Sequence, residues 1–289
     1  MIQFADEHTA TLVRQMWKTC FGDSDEFINL YFAHKYKNEN TLIYFEGDKA
    51  VASLQMLPYT INFYEQEIPF AYLAGLCTLP EYRKKGYMAQ LIDKSHQLIA
   101  ERNIPLSILI PAEDWLFGFY EKYGYEQVFE KDDNPLPLKE ILDIYQDEKE
   151  AYNAFDLLFR PLDFCVQKSF EDFVAIREEY KQDGCPVKNN LSGMAHIIDI
   201  WTLLDLYSKG NMNRKFSIKV NEALSGKSFV YSIDNGNVEM VKNAGVKPDI
   251  EVDLRLLCRL LFGYKLNGVD PAYQLYFEEN HPVMNLMLE

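Results

Sequence analysis

The chain has 289 residues, 48% hydrophobic and 25% charged, the mix of a globular protein long enough for two domains. With 29 Lys and Arg against 44 Asp and Glu the formal charge is −15, which repels phosphate backbones and argues against a nucleic-acid partner. The same charge attracts cationic ligands such as polyamines. The five cysteines Cys20, Cys77, Cys165, Cys185 and Cys258 are odd in number and lack any CxxC, which argues against a disulfide framework or a zinc ribbon. No HxH or HExxH spacing links His8, His34, His96, His196 and His281, so no metal is expected. The first residues lack the basic start and apolar stretch of a signal peptide, and no apolar run reaches the ~18 residues of a spanning helix. The expectation is a cytoplasmic protein with reduced thiols and no membrane partner.

The first 130 residues alternate between helical and strand periods. Residues 6–21 predict a helix, with Leu12, Val13, Met16, Trp17 and Cys20 on one stripe. Residues 41–45 and 51–63 read as strands joined by a turn at Gly47 and Asp48, and 70–78 as a further strand. Met88, Leu91, Ile92, Ser95, Leu98 and Ile99 repeat at helical spacing up to about Arg102. The apolar run 105–110 predicts a buried central strand. A helix over 114–123, ended by Gly124, and a strand over 125–129 follow. The order implies an α/β fold, a mixed central sheet flanked by helices.

Residues 131–150, with Asn134, Pro135 and Pro137, read as a connection. Residues 155–159 look strand-like and 170–181 helical, too little for an independent core. From about 191 the pattern changes: a strand over 194–200, a helix over 201–207, and strands over 215–221 and 228–233. Asn235-Gly236 is a hairpin turn into 238–242. Residues 249–252 precede a helix over 254–264. Three segments follow: 1–130, a connecting region 131–190, and a smaller α+β part over 191–289.

One motif stands out. Arg83-Lys84-Lys85-Gly86-Tyr87-Met88 joins a strand to a helix, and places three cations at a helix start in a strongly acidic chain. The helix dipole disfavours cations there. A bound anion resolves the conflict, because free backbone N–H groups take a phosphate, the cations add counter-charge, and Gly86 allows close approach. A solvated basic turn is the alternative.

The pattern Arg-x-x-Gly-x-(Gly/Ala), opening a helix after a strand, resembles the pyrophosphate loop of the GNAT N-acetyltransferase superfamily, although Met88 stands where that loop has Gly or Ala. Tyr120-Glu121-Lys122-Tyr123-Gly124-Tyr125, after the strand at 106–110, resembles the second half of the same fold. The resemblance implies acetyl-CoA as cosubstrate. Its pantetheine arm would lie along the backbone of Leu76, Cys77 and Thr78, and its diphosphate against Arg83, Lys84, Lys85, Gly86, Tyr87, Met88 and Ala89. It also implies Tyr120 near the thioester sulfur, as general acid. Residues 196–200 and 248–254 look like the C-terminal sterol-carrier-like domain of Eis-type acetyltransferases. Residues 131–190 depart from that pattern, being too short for the second GNAT-like domain such proteins carry. Eis-type proteins assemble into oligomers, so a homo-oligomer is possible on this resemblance.

Acetyl transfer to an amine requires a base, stabilisation of the oxyanion and protonation of the thiolate. The strand 70–78 carries no carboxylate. In Eis-type enzymes the base is the C-terminal carboxylate, here that of Glu289. Glu113 and Asp114 are rival bases or helix caps. Cys77 reads as a buried thiol rather than a nucleophile. Trp201 and the helix 254–264 read as core, or as the lining of a lipid cavity. The substrate expected is a small-molecule or peptide amine of cationic character: aminoglycoside-, polyamine- or lysine-like. The alternative is a lipid- or ligand-binding protein, or a CoA sensor, without transferase activity; a purely structural module is the third possibility.

Overall fold

The computed structural model describes residues 1–222, 226–241 and 247–288. The short strand β1 (Ile2–Phe4) leads into helix α1 (Ala10–Phe21), which buries Val13, Met16 and Trp17 and ends at Gly22. Helix α2 (Asp25–His34) has no counterpart in the sequence-based expectation. Ser24 caps it, accepting from the Phe27 N–H, and Ile28 and Tyr31 are buried. Strands β2 (Thr41–Glu46), β3 (Lys49–Phe63) and β4 (Gln66–Thr78) form an antiparallel meander. Helix α3 (Tyr87–Glu101) and strand β5 (Leu106–Leu109) follow. Then come helix α4 (Asp114–Tyr120) and strand β6 (Glu126–Phe129).

The connecting region is largely helical. Helix α5 (Leu138–Ile144) lies within the stretch expected to be irregular. Helix α6 (Glu148–Phe159) replaces the strand expected at 155–159. Asp147 caps it by accepting from the N–H groups of Lys149 and Glu150, and Ala151, Phe155 and Phe159 recur every four residues on its buried face. After β7 (Val166–Gln167), helix α7 (Phe170–Gln182) starts at a reciprocal capping box between Ser169 and Asp172.

The last third opens with β8 (Gly193–Ile197), shorter than expected because Asp199 caps helix α8 (Ile200–Gly210). Strands β9 (Lys215–Glu222), β10 (Lys227–Asp234), β11 (Asn237–Met240) and β12 (Ile250–Asp253) form a second sheet in the order β11-β10-β9-β12. Asn235 and Gly236 both have positive φ, the geometry a two-residue hairpin needs. Lys242, expected at the end of β11, lies outside the described residues. Helix α9 (Leu254–Phe262) is capped by Asp253 and ended by Gly263.

The first sheet has the order β1-β2-β3-β4-β5-β8-β6, with β7 against β3; only the β4–β5 pair is parallel. Strand β8 thus inserts between β5 and β6, antiparallel to both. Side chains alternate along β3 and β4. Leu54, Met56, Ala71 and Leu73 pack with Leu91, Ile92 and Ile99 of α3. Leu57, Tyr59, Phe70 and Tyr72 belong to a larger cluster that includes α5–α7, α8, α9 and the inner face of the second sheet.

Candidate active site

The parallel pairing of β4 and β5 is limited to Ala71–Ser107 and Tyr72–Ile108. Beyond Tyr72, β4 runs on to Thr78 beside β3 alone. Its register with β3 slips where Gly75 and Leu76 together oppose Leu54. Two residues against one make a bulge, which bends the strand and re-aims its backbone groups. Gly75 has φ +58, and a Cβ there would lie 2.5 Å from a Trp17 ring carbon and 3.0 Å from Gln55 Nε2. No other residue type fits that conformation in that space. Leu76, Cys77 and Thr78 follow on the diverging edge.

After the turn 80–82 the chain enters the cationic loop. Lys84 and Gly86 both adopt left-handed backbone, at φ +64 and +80. A Cβ on Gly86 would meet only open space, so the glycine is required here by its dihedral and not by crowding. Gly86 is the N-cap of α3, without a side-chain cap and without an acidic residue in the first turn. The N–H groups of Tyr87, Met88 and Ala89 therefore point out of the helix end with its partial positive charge uncompensated. Arg83 Nε donates to Thr78 O at 3.1 Å, tying the loop back to the end of β4. Lys85 Nζ lies 3.6 Å from Glu46 Oε2 and over the Tyr82 ring. Glu46 also accepts from the Tyr87 hydroxyl. Lys84 makes no ion pair among the described residues. The loop thus meets the physical requirement for a diphosphate: three exposed cations and an open helix start.

Cys77 is buried, with its sulfur 3.2 Å from Ser53 Oγ. The neighbouring Cys20 thiol and burial hold Cys77 well above the usual thiol range, so it stays protonated and unreactive. Cys20, half-buried near Arg83, is lowered to about 7, chiefly by the Cys77 hydrogen bond.

Tyr120 is the last residue of α4, buried at 6% exposure against Phe119 and Tyr125. Gly124, at φ +85, ends the following turn and sends the chain into β6, with the Tyr125 N–H returning to Tyr120 O. The Tyr-x-x-x-Gly spacing is thus a helix end and its left-handed cap. Burial pushes the Tyr120 phenol well up, so it carries its proton at neutral pH. Glu113 and Asp114 are exposed. Glu113 occupies the N-cap position of α4, but its carboxylate accepts from Trp115 Nε1 and caps nothing.

The C-terminal segment is embedded. Val283 exchanges backbone hydrogen bonds with Phe164 and Val166, and Met284 O accepts from the Leu191 N–H. Met284, Leu286, Met287 and Leu288 are buried in the cluster that contains Leu57, Tyr59, Tyr72, Leu106 and Ile108. Asn285, fully buried, accepts from Lys168 Nζ at 2.7 Å. Burial lowers Lys168 to about 7. Glu289 lies outside the described residues.

Trp201, expected in a core, is 47% exposed. Helix α9 buries Leu257, Cys258, Leu260, Leu261 and Phe262 as ordinary core. A cavity of about 660 Å³ beside its start has a mixed lining, with Ile197, Ile198 and Leu254 beside Asp93, His96, Glu121, His196 and Arg255. His96 and His196 stack at 4.3 Å; His96 Nε2 lies 3.1 Å from the Tyr125 hydroxyl, and His196 Nδ1 3.0 Å from Gly124 O. Burial lowers both, His196 to about 4, so both rings are neutral. Among the described residues no three His, Cys, Asp or Glu side chains are grouped to hold a metal. No described helix is long and apolar enough to cross a membrane.

Two side chains escape the sequence reading. Lys168 carries no local signal of its tie to Asn285, 117 residues away. Gln55 does: it is the polar interruption in Leu54-Gln55-Met56-Leu57, and it is 1% exposed.

Residues 2–128 match the family model described as Acetyltransferase (GNAT) domain. Across essentially the whole chain the fold is similar to three solved structures. A conserved protein of unknown function from Enterococcus faecalis V583 has a TM-score of 0.66 and 15% identity, over 99% of each chain. A GCN5-related N-acetyltransferase from Anabaena variabilis ATCC 29413 has 0.62 and 16%, over 100% of this chain and 99% of its own. Eis1 from Mycobacterium abscessus has 0.63 and 12%, with the same coverage. At these identities the likeness is one of fold. No curated protein sequence matches the chain.

Proposed function

We propose that this acetyl-CoA-dependent N-acetyltransferase of GNAT type carries the acetyl group directly to a primary amine of a cationic small molecule or peptide, in the Eis manner. Acetyl-CoA supplies an electrophilic thioester. This chain's part is to hold it and move two protons. Arg83, Lys84, Lys85 and the open start of α3 bind the diphosphate, and the backbone of Leu76, Cys77 and Thr78 pairs with the pantetheine arm. That lays the thioester along the diverging edge of β4. Tyr120 holds its proton until a thiolate needs it, since burial keeps the phenol neutral. The base is the carboxylate at Glu289.

The observation that carries this assignment is the buried run of Met284 to Leu288. An extended end normally frays in solvent. This one is fixed by Lys168 and by backbone bonds on both sides, and it enters the apolar cluster on the face of β3, β4 and β5 opposite α3. In apolar surroundings desolvation raises the basicity of a carboxylate. The excess of 44 acidic over 29 basic residues favours a cationic acceptor. We assign the last third, with its own four-stranded sheet, the sterol-carrier-like role in the architecture.

Thiol release from acetyl-CoA over a panel of polyamines, aminoglycosides and lysine peptides tests the reading. Tyr120→Phe should slow release with acetyl-CoA affinity retained, and one residue added after Glu289 should do the same. Full activity of the extended chain would remove the C-terminal carboxylate from the mechanism; no release with any amine would remove the substrate class.

A further inference from the structure

Gln55 is the one inward-facing side chain of central β3 whose chemistry the fold leaves unused. Its Oε1 accepts from the Tyr31 hydroxyl at 3.4 Å, which fixes the amide so that Nε2 is the end beside Gly75. Nε2 is buried and has no hydrogen-bond partner among the described residues. A buried N–H left without an acceptor is costly, and an apolar side chain of the same size would avoid the cost.

The position of this donor is specific. It adjoins the bulge at Gly75, in the stretch of β4 that has left β5. Thr78, where β4 ends and the cationic loop begins, is three residues further on, roughly 10 Å at ~3.3 Å per residue. A pantetheine arm running from the loop along Thr78, Cys77 and Leu76 brings its acyl end to Gly75. The carbonyl oxygen of the thioester gains negative charge there as the amine adds to the carbonyl carbon, and loses it when the carbon–sulfur bond breaks. An uncommitted amide donor in a dry site is the group that stabilises such an oxygen. Trp17 and Tyr31, whose rings lie 4.3 Å apart, wall the donor from water.

We propose that Gln55 Nε2 donates to the acyl oxygen of acetyl-CoA and stabilises its developing negative charge. This rests on the acetyl-CoA reading of the site, and the test separates the two. Carboxymethyl-CoA sets a permanently charged oxygen near the acyl position, and CoA lacks that oxygen. Titration calorimetry of the parent and of Gln55→Met with both ligands requires neither turnover nor a known amine. The expected result is that Gln55→Met binds CoA like the parent, binds carboxymethyl-CoA at least tenfold more weakly, and unfolds at no lower temperature. Gln55→Glu, which places a like charge at the same point, should weaken carboxymethyl-CoA further. Equal affinity of parent and Gln55→Met for carboxymethyl-CoA overturns the proposal. A parallel loss of both ligands also overturns it, because Gln55 would then be structural. Failure of the parent to bind CoA at all overturns the cofactor reading itself.

Discussion

Replacing Gly75 by alanine tests whether the bulge in β4 is built around a missing side chain. Two costs arise. Left-handed backbone costs an L residue about 1–2 kcal/mol. The new Cβ would lie 2.5 Å from a Trp17 ring carbon, well inside contact distance. The indole cannot step aside, because its Nε1 donates to Asp23 at 2.7 Å and its ring packs on Tyr31 and Phe21. Overpacking of this kind costs about 1–3 kcal/mol. Stiffening of the unfolded chain returns about 0.4–1 kcal/mol. Gly75→Ala should therefore destabilise by about 2–4 kcal/mol, a large part of the ~5–15 kcal/mol typical of a domain. Gly86→Ala is the matched control, since it shares the positive φ but meets open space, and it should lose only about 1 kcal/mol. Urea unfolding with equal m values measures both. Trp17→Leu combined with Gly75→Ala should recover the steric part, as a coupling energy of about 1–2 kcal/mol. If Gly75→Ala and Gly86→Ala differ by less than about 0.5 kcal/mol, within the scatter for uncoupled sites, the close-approach argument is wrong.

Alanine at Arg83, Lys84 and Lys85 together should weaken CoA binding by about tenfold or more and flatten its salt dependence, with urea stability unchanged within about 0.5 kcal/mol; calorimetry at two salt concentrations checks this. Lys168→Met should release Asn285 and the tail, lowering kcat while leaving KM for acetyl-CoA within about twofold; an unaltered kcat would separate the tail from the chemistry. Burial depresses His196 from 6.5 to about 4, so the folded state keeps it neutral while the unfolded chain protonates it. The stability this contributes is complete above pH 6.5 and is lost as pH falls towards 4, about 3 kcal/mol in all. His196→Asn should reduce that acid sensitivity in pH-dependent unfolding.

The local level of this protein is legible in its residues. Apolar periodicity marks β2–β6, α1 and α3, and Asn235-Gly236 marks its hairpin. The cations before Gly86 mark a loop whose left-handed dihedral and open helix start follow from short-range sterics. Where short-range signals compete, reading fails: the run at 155–159 has strand-like composition, yet the Asp147 cap and the four-residue spacing of Ala151, Phe155 and Phe159 make it helical against the sheet. Other features depend on partners distant in the chain. The insertion of β8 between β5 and β6 brings together strands 64 residues or more apart, because the free edges of β5 and β6 need hydrogen bonds that no neighbouring segment supplies. Lys168 meets Asn285 across 117 residues, and Gln55 becomes an isolated donor only once Trp17, Tyr31 and Gly75 close around it. Dihedral preference and hydrophobic period act over a few residues, so sequence determines them alone; burial without a partner is a property of the assembled packing, which only the tertiary structure decides.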